Sequence, residues 1–469
     1  MDYEKIGLKS GIEIHQQLDT DKLFCRCPSI LRKEPGKLIK RKLNIAKGEQ
    51  GEIDEAVKYE VSRDRNFEYE YYDTNCLIEL DEEPPKQINQ ESLKIALEIS
   101  LLLNCEIVQD TQIMRKTVID GSNTSGFQRT VLIARNGYIE TKQGKVGIQS
   151  LMLEEDAARI ISQEKNKVRF RLDRLGIPLV EIATCPDIKT PEQAKEVALY
   201  IGDVLRACKV KRGLGTIRQD VNLSIKNSKR IEVKGVQNPD LIEKTIKSEI
   251  KRQQELVKQK KSMPEVRKAL ENGKTEFLRP LPGAARMYPE TDLPLLHIDK
   301  KLIDKIRKNL PKLRKQIRKE LKEKGLSDNI INLLIKDNIV DEFEVLIKIY
   351  NNPEFVGKVL TLFRREIKSK TGKQITIDQI ENLLHEIKKN NLHPEDIRQA
   401  MQKIAKGESI KEAIKKEKIK TENLEEEILK IIKQKPNLSE KAYMGLIMQK
   451  FKGKVSGKQI IEILKKLLK

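Results

Sequence analysis

Two side chains near the start of the chain, Glu13 and His15, have the types and the spacing of metal ligands. In the segment Lys9–Gln17, apolar residues such as Ile12 and Ile14 alternate with polar ones, which is the pattern of a half-buried strand. Residues two apart on a strand project to one face, about 7 Å apart at ~3.3 Å per residue. The pattern predicts an acid and an imidazole that can hold a divalent cation; a partly exposed strand with unrelated polar residues is the alternative.

The same combination of a carboxylate with apolar neighbours recurs in other strand-like segments. These segments are Leu151–Asp156, Ile177–Ile182, Ile217–Ile225 and Arg230–Val236, and their acids are Glu154, Glu155, Asp156, Glu181, Asp220 and Glu232. Carboxylates are rarely buried unless they are paired or bound to a metal, and several on one sheet face would repel one another. Oxygen ligands with a single His suit Mg²⁺ or Mn²⁺ better than Zn²⁺, so we expect Mg²⁺ where these strands converge.

A loop rich in small residues and hydroxyls, Asp120–Thr130, lies between two apolar runs, and Arg115 and Arg129 bracket it. Backbone N–H groups of such loops can surround a phosphate. No Gly-Lys-Ser/Thr sequence follows, so the loop is not a Walker A motif. Phosphate binding and a plain hairpin loop both stay open.

The thiols point to a reducing compartment. The pair Cys25 and Cys27 is at most half of a zinc site, and no second Cys pair follows within forty residues, so we expect no zinc. The other cysteines are also typical of reduced thiols. The start of the chain, Met1–Lys5, has no signal-peptide pattern, and no run approaches the ~18 apolar residues of a membrane span. We therefore expect a cytoplasmic protein without a membrane segment.

The positive charge is concentrated in the C-terminal third. The net charge of the 469 residues is +21. By count, residues 301–469 hold 40 Lys and Arg against 24 Asp and Glu, whereas residues 1–300 hold 52 against 47. This division predicts a near-neutral chemical part and a basic part that meets a polyanion, with nucleic acid as the leading candidate. Solvated lysine-rich helix faces and adaptation to heat are the alternatives.

The pattern along the chain predicts an α+β fold. Up to about residue 297 it is strand-rich and mixed, with helices at Gln87–Leu103, Pro191–Cys208 and Asp240–Lys260, and Lys261–Lys274 reads as a surface connection. After this strand-rich part, the spacing of apolar residues is helical only. Its segments are Leu302–Lys324, Ser327–Tyr350, Pro353–Ser369, Thr376–Asn390, Pro394–Lys406, Ser409–Lys418, Thr421–Gln434, Ser439–Phe451 and Ser456–Leu468. The last three segments read as a small separate domain, whose basic stretch Lys450–Lys454 is a candidate phosphate contact.

Several kinds of catalytic site have no motif in this sequence. There is no amidase-type Ser pair with Lys, no nucleophile elbow, no catalytic-Cys constellation and no Rossmann fingerprint. Carboxylates, a metal and Arg or Lys must then carry any chemistry. This leaves phosphoryl transfer, metal-assisted hydrolysis or proton transfer.

Long motifs along the whole chain resemble those of the archaeal glutamyl-tRNA(Gln) amidotransferase GatE family. They are Gly11–Leu18, Leu23–Pro28, Leu80–Pro85, Arg115–Arg129, Leu153–Arg159, Asp173–Ile182, Gly213–Asn222 and Leu278–Asp292. The resemblance implies a catalytic cradle domain over residues 1–297, a helical domain over 298–418, and a tail over 421–469 that is similar to the YqeY-like type and contacts tRNA.

The resemblance also implies a reaction. ATP phosphorylates the γ-carboxylate of glutamate mischarged on tRNA(Gln), and ammonia then displaces phosphate to give Gln-tRNA(Gln). The implied Mg²⁺ ligands are Glu13, His15 and Glu155, of which the family favours Glu155 over Glu154. Three further acids, Glu181, Asp220 and Glu232, would complete the acidic pocket. The candidate substrate and phosphate contacts are Ser122, Asn123, Thr124, Ser125, Arg129 and Arg218.

The sequence contains no ammonia-producing motif. The resemblance therefore implies an asparaginase-like protein, GatD, as partner, in a heterotetramer of two GatD and two GatE chains, with tRNA(Gln) as substrate. Family members usually carry an inserted domain before the Leu278–Asp292 motif, and Lys258–Lys274 is too short to form one. Two alternatives remain: a GatB-type component of a GatCAB amidotransferase, and a non-catalytic tRNA-binding protein.

Overall fold

The computed structural model describes the chain except for residues 1, 43–63, 119, 165, 282–286, 391–393, 415–420, 437, 451–456 and 469. It divides into two compact units, Met1–Leu313 and Arg314–Lys469. The first unit is strand-rich and the second is helical, as the α+β expectation required. Most of the basic stretch Lys450–Lys454 lies outside the described residues.

A large mixed sheet organises the first unit. Its strands are β1 (Lys9–Gln17), β4 (Glu106–Ile107), β6 (Ile113–Thr117), β7 (Phe127–Thr141), β8 (Gly144–Glu155), β11 (Pro178–Thr184), β12 (Ile217–Ser224), β13 (Ile231–Lys234), β14 (Glu265–Ala269), β15 (Thr275–Pro280) and β16 (Met287–Pro289). The order across the sheet is β15-β14-β13-β12-β1-β11-β8-β7-β6-β16, and β4 pairs with β7. Strand β1 lies between β11 and β12 and is antiparallel to both.

Helices cover one face of this sheet. The helices of the unit are α1 (Tyr3–Ile6), α2 (Gln90–Leu102), α3 (Pro191–Ala207), α4 (Pro239–Lys258) and α5 (Lys300–Lys308). Polar residues cap them: Asn89 accepts from two N–H groups of α2, and Thr190 begins α3 ahead of a proline at the first helical position. Apolar residues of α2, α3 and α4 pack with Ile12 and Ile14 of β1 in one buried cluster. Glu13 and His15, which alternate with these two residues along β1, therefore lie on the opposite face.

Two smaller sheets complete the unit. Strands β2 (Lys37–Arg41), β3 (Asn66–Tyr71), β10 (Lys167–Arg171) and β9 (Arg159–Gln163) form a four-stranded sheet in that order. It has its own aromatic core, in which Tyr69 and Phe170 stack with ring centroids 5.8 Å apart. Strands β5 (Asp110–Thr111) and β17 (Leu296–His297) form a short pair.

The second unit is helical throughout its described residues. Its α-helices are α6 (Arg314–Glu323), α7 (Asp328–Asp337), α8 (Val340–Ile349), α9 (Pro353–Lys358), α10 (Arg364–Thr371), α11 (Ile377–Asn390), α12 (Pro394–Lys406), α13 (Ile410–Ala413), α14 (Thr421–Gln434), α15 (Glu440–Lys450) and α16 (Gly457–Leu467). A π-helical turn, Val359–Phe363, connects α9 to α10. One buried cluster joins α6 to α13, and a separate small cluster around Tyr443 joins α14 to α16. No helix of the described residues is long and apolar enough to cross a membrane.

Three element predictions were wrong in detail. The segment Lys261–Lys274 is more than a surface connection, because residues Glu265–Ala269 form β14, which pairs with β13 and β15. The single helix predicted over Leu302–Lys324 is two helices, because Pro311 cannot continue a helix. The helix predicted over Ser327–Tyr350 is also interrupted, at Asn338, whose φ of 55° is left-handed.

Candidate active site

Strand pairing brings acids from four strands to the face of the large sheet that the helices leave uncovered. His15 lies directly opposite Glu181 of β11, and Glu13 lies opposite Asp220 of β12. Directly opposed residues of paired strands point to the same face. Glu154 of β8 is opposite Leu179 of β11 in the same alternation, so its side chain also points to this face.

The imidazole of His15 is at the centre of the carboxylates. Its Nε2 lies 3.2 Å from Oε2 of Glu181, 3.5 Å from Oε1 of Glu13 and 3.8 Å from Oε1 of Glu154. One ligand atom from each of Glu13, His15 and Glu181 lies within 4.8 Å of the others. Glu154 is fully buried, and its Oε2 accepts a hydrogen bond from the hydroxyl of Thr130 at 2.9 Å. These four residues form a cluster of three carboxylates around one imidazole. We call the cluster of Glu13, His15, Glu154 and Glu181 the carboxylate group.

The carboxyls and the imidazole of this group shift one another's pKa values. Burial and then the charge of Glu181 raise the pKa of Glu13, and the same two causes raise the pKa of Glu154 to about 7. Burial would also raise the pKa of Glu181, but the hydrogen bond with His15 and the charge of Lys116 hold it well below its usual value. Burial alone would lower the pKa of His15, and the hydrogen bond and charge of Glu181 outweigh it and raise that pKa. One carboxyl of the group can therefore exchange a proton near neutral pH.

A second acidic pair lies beside the carboxylate group, towards β13. The ammonium of Lys234 is 3.1 Å from Oδ2 of Asp220 and 2.6 Å from Oε1 of Glu232. Oδ1 of Asp220 accepts the backbone N–H of Gly235 at 3.0 Å. The structure thus brings Asp220 and Glu232 to the predicted face.

Arg218 also lies on this face, opposite His15 in the strand register. Its Nη2 donates to Oδ1 of Asp156 at 2.9 Å, and Oδ2 of Asp156 accepts from Nε2 of Gln17 at 2.7 Å. The guanidinium is about one-third exposed, so it places a fixed cation at the border of the carboxylate group.

The structure does not bring Glu155 together with Glu13 and His15. Consecutive strand residues point to opposite faces, so Glu155 points away from Glu154 and meets Arg129, whose Nη1 is 3.4 Å from its Oε2. Burial raises the pKa of Glu155 against the opposing charge of Arg129. Arg129 also donates from Nε to Oε2 of Glu290 at 2.9 Å. Glu155 and Arg129 thus belong to a buried ion-pair network, in which Arg115 is the other partner of Glu290.

The loop with Ser122, Asn123, Thr124 and Ser125 connects β6 and β7 and is likewise tied into the fold. Asn123 and Thr124 are buried, the hydroxyl of Thr124 donates to the carbonyl of Glu79 at 2.6 Å, and Ser125 donates to the carbonyl of Phe127 at 3.0 Å. Tyr69 donates to the carbonyl of Gly121 at 2.7 Å. The hydroxyls of Thr124 and Ser125 in this loop therefore already have hydrogen-bond partners within the fold.

The donor set of the carboxylate group fits Mg²⁺. Glu13, His15 and Glu181 offer two carboxylates and one imidazole within reach of one ion, and Glu154 stands next to them. Burial, and after it the charge of Glu181, raises the pKa values of Glu13 and Glu154, so their ionised forms lack full compensation by solvent and by neighbouring cations. A divalent cation would supply this compensation.

A second set of metal-type ligands lies elsewhere in the unit. Cys25, Cys27, Cys76 and Glu79 each place a ligand atom within 4.8 Å of the others. Zinc was not expected because no second Cys pair follows nearby in the sequence. In this set, however, Cys76 is distant in sequence and Glu79 takes the fourth position. Three sulfur atoms and one carboxylate oxygen form a donor set that Zn²⁺ accepts.

Sequence reasoning missed the lysines of this face, and the resemblance favoured Glu155, whereas the structure places Glu154 beside His15. The alternation that selected Glu232 places Lys234 on the same face, so this signal was available. Lys116 had no such signal, because its position depends on the order of β6, β7, β8 and β11 across the sheet. Glu154, Glu155 and Asp156 are consecutive acids, so the sequence alone does not indicate which of them faces His15. That choice requires the register of β8 with β11.

The comparisons with known proteins agree with this architecture. The family model described as the GatB/GatE catalytic domain matches residues 8–304. Proteins named as the E subunit of glutamyl-tRNA(Gln) amidotransferase from Methanocaldococcus jannaschii and Sulfurisphaera tokodaii are 39% and 34% identical, over 100% of this chain and 99% of the relative. One of that name from Methanothermobacter thermautotrophicus is 37% identical, over 78% of this chain and 81% of its own length.

The chain therefore belongs to the GatB/GatE family. The relatives just described all carry the name of the E component, which confirms the resemblance that the motifs predicted. The alignment with the Methanocaldococcus jannaschii protein runs over 629 positions, 160 more than the 469 residues of this chain. At least 160 positions of this alignment therefore have no counterpart in this chain.

Proposed function

We propose that this chain is the component of a tRNA-dependent amidotransferase that converts Glu-tRNA(Gln) to Gln-tRNA(Gln) with ATP and Mg²⁺. The observation that supports the proposal most is the carboxylate group, in which acids from three strands surround His15 within the matched catalytic domain. A protein that only binds tRNA has no need of buried, mutually repelling carboxylates, whose retention costs stability.

The reaction consists of two displacements. The γ-carboxylate of the glutamyl group attacks the γ-phosphorus of ATP and ADP leaves, and ammonia then attacks the acyl carbon and phosphate leaves. Glu13, His15 and Glu181 would hold Mg²⁺, which when bound offsets the charge of the phosphoryl oxygens. Glu154 can hold or release a proton near neutral pH, and Arg218 presents a cation beside His15.

The remaining components are proposals of the same kind. We propose that an asparaginase-like GatD protein supplies the ammonia, that two GatD and two GatE chains assemble, and that the complex acts in the cytoplasm. We also propose that residues 1–297 are the catalytic cradle, 298–418 a helical domain, and 421–469 a YqeY-like tail that contacts tRNA. The separate apolar cluster of α14, α15 and α16 supports an independent tail.

The decisive experiment uses the chain together with its co-purified partner. Amide formation on Glu-tRNA(Gln) is measured with ammonium chloride as nitrogen donor, with and without ATP and Mg²⁺. We expect activity only when both are present, and a loss of about 100-fold or more in Glu181→Gln. Glu140→Gln, at an exposed site in β7, is the matched control and stays active. Product formation without ATP, or full activity of Glu181→Gln, would contradict the proposal.

The co-purified partner also tests the alternative of a GatB-type protein. An amidase chain with a small third chain would favour that alternative, whereas an asparaginase-like chain favours GatE. The names of the relatives favour GatE.

A further inference from the structure

Two lysines that the proposed function does not use lie on the same sheet face as the carboxylate group. The Nζ of Lys116 is 3.4 Å from Oε2 of Glu181 and 3.6 Å from Oε2 of Glu154. The Nζ of Lys234 lies between Asp220 and Glu232. The two side chains are 29% and 37% exposed, so a ligand over this face can reach both.

The lysines approach from opposite sides. Lys116 comes from β6, three strands from β11, and Lys234 comes from β13, on the other side of β1. In a flat sheet the backbones of β6 and β11 would be about 14 Å apart at ~4.8 Å per strand. The contact of Lys116 with Glu181 therefore requires both side chains to extend towards each other across β7 and β8. Both ammonium groups interact electrostatically with Glu13, which lies between them.

The charges of this face leave the lysines available for an anion once a cation is present. Five carboxylates, those of Glu13, Glu154, Glu181, Asp220 and Glu232, share these two ammonium groups. A divalent cation bound by the carboxylate group would take over part of this negative charge. Each ammonium has three donors, so it can keep one carboxylate partner and donate to a phosphoryl oxygen as well.

We propose that Lys116 and Lys234 bind the phosphoryl group that is transferred from ATP, one from each side. This inference rests on the proposed function. During the step, the bond from the glutamyl oxygen to phosphorus forms while the bond from phosphorus to ADP breaks, and ADP carries away the electron pair. The ammonium groups stabilise the charge on the phosphoryl oxygens.

A purely structural role makes a different prediction. If the lysines only neutralise the carboxylates, their removal leaves more negative charge around the cation site and changes Mg²⁺ binding and folding first. If they bind the phosphoryl group, their removal impairs the use of ATP while Mg²⁺ binding without nucleotide is retained.

The experiment compares Lys116→Met and Lys234→Met with the control Lys145→Met, whose side chain is 62% exposed in the β7–β8 hairpin. All are prepared with the co-purified partner. ADP release on Glu-tRNA(Gln) with ammonium chloride gives kcat and the KM for ATP, and calorimetric titration without nucleotide gives Mg²⁺ affinity. We expect kcat/KM for ATP to fall about 100-fold in each test variant, with Mg²⁺ affinity retained and the control unchanged.

Lys116→Arg and Lys234→Arg keep the charge and should recover part of the loss, which also covers the case that a Met variant fails to fold. A kcat/KM for ATP within twofold of wild type in both Met variants would overturn the inference. Loss of Mg²⁺ affinity in parallel with activity would overturn it too, because the lysines would then act through the carboxylates. If the wild-type complex makes no ADP at all, the proposed function itself fails.

Discussion

Adjacent glutamates of β8 have different surroundings, and this difference decides what each can do. Glu154 faces His15 and Lys116, whereas Glu155 faces Arg129 in a buried ion-pair network. Period-2 reasoning from the sequence selected Glu13, His15, Glu181, Asp220 and Glu232, and the fold brings these residues to one face. It could not choose between Glu154 and Glu155, because that choice depends on the register with β11.

The two glutamates can be separated by Mg²⁺ affinity. We expect Glu154→Gln to weaken Mg²⁺ binding by about 10- to 100-fold, because it removes a carboxylate next to the ligating His15. Glu155→Gln should leave Mg²⁺ affinity unchanged and lower the free energy of unfolding by about 1–3 kcal/mol, because Arg129 loses a charged partner. Calorimetric titration and chemical unfolding measure the two effects; the reverse pattern would restore Glu155 as a ligand.

Glu290 offers a test by pH. It is fully buried and accepts from Arg115, from Arg129 and from the backbone N–H of Asp292. Burial alone would raise its pKa, but the hydrogen bonds from Arg115 and Asp292 and the charge of Arg129 hold the pKa below its usual value of 4.5.

A carboxylate with a depressed folded pKa stabilises the fold above its unfolded pKa, and this stability is lost as the pH falls through the folded pKa. We expect Glu290→Gln to be about 3 kcal/mol less stable at pH 7, since a buried ion pair loses one charge. The difference from wild type should narrow only below pH 4.5. Urea unfolding across this range checks it, and a difference that is independent of pH would refute the charge argument.

The cysteine cluster predicts a bound metal. Glu79 accepts from Sγ of Cys25 at 2.8 Å and lies 3.4 Å from the fully buried ammonium of Lys22, which has no hydrogen-bond partner among the described residues. A metal-thiolate centre carries negative charge that such a cation would balance. Elemental analysis should find about one zinc per chain, and Cys76→Ser should lower both zinc content and Tm, whereas Cys185→Ser, outside the cluster, should change neither. A zinc-free wild type would contradict this prediction.

At the scale of elements, the strands that carry the candidate acids and most of the longer helices could be predicted from period and caps, whereas many other strands and the order of the strands across the sheet could not. Thr190-Pro191 marks the start of α3, and the alternation of Ile12 and Ile14 marks β1. Strand β14 escaped notice because its polar sequence forms a strand only through pairing with β13 and β15. Long-range pairing of this kind leaves no local signal.

The β6–β7 loop depends on Gly121. Its φ is +82°, and a Cβ atom at this position would lie 2.2 Å from Cε1 of Phe67. Gly144 has a φ of +110° but open space around it, so replacing it by Ala measures the cost of the positive φ alone. We expect Gly144→Ala to cost about 1 kcal/mol and Gly121→Ala clearly more, because the aromatic core must move. Chemical unfolding of both variants measures the loss in free energy of unfolding. Equal losses would show that the Phe67 ring moves aside without a cost.

At the scale of the whole molecule, the two units differ in net charge, and the C-terminal residues are the more basic. Residues 421–469 alone hold 11 lysines against 6 glutamates. We expect deletion of residues 421–469 to weaken tRNA binding and to reduce its dependence on salt, because fewer counterions are released, while activity at saturating tRNA stays largely intact. Filter binding at several salt concentrations measures both quantities. Unchanged affinity and unchanged salt dependence would show that the tail does not touch tRNA.

The position of β15 at one border of the large sheet bears on how this family changes over time. Segments that end at a border strand can lengthen or shorten without moving the strands that carry Glu13 or Glu181. An ancestral protein could therefore gain or lose a module next to the β14–β15 hairpin in a single genetic event and retain its catalytic residues. Recognition and catalysis would then evolve at different rates within one polypeptide.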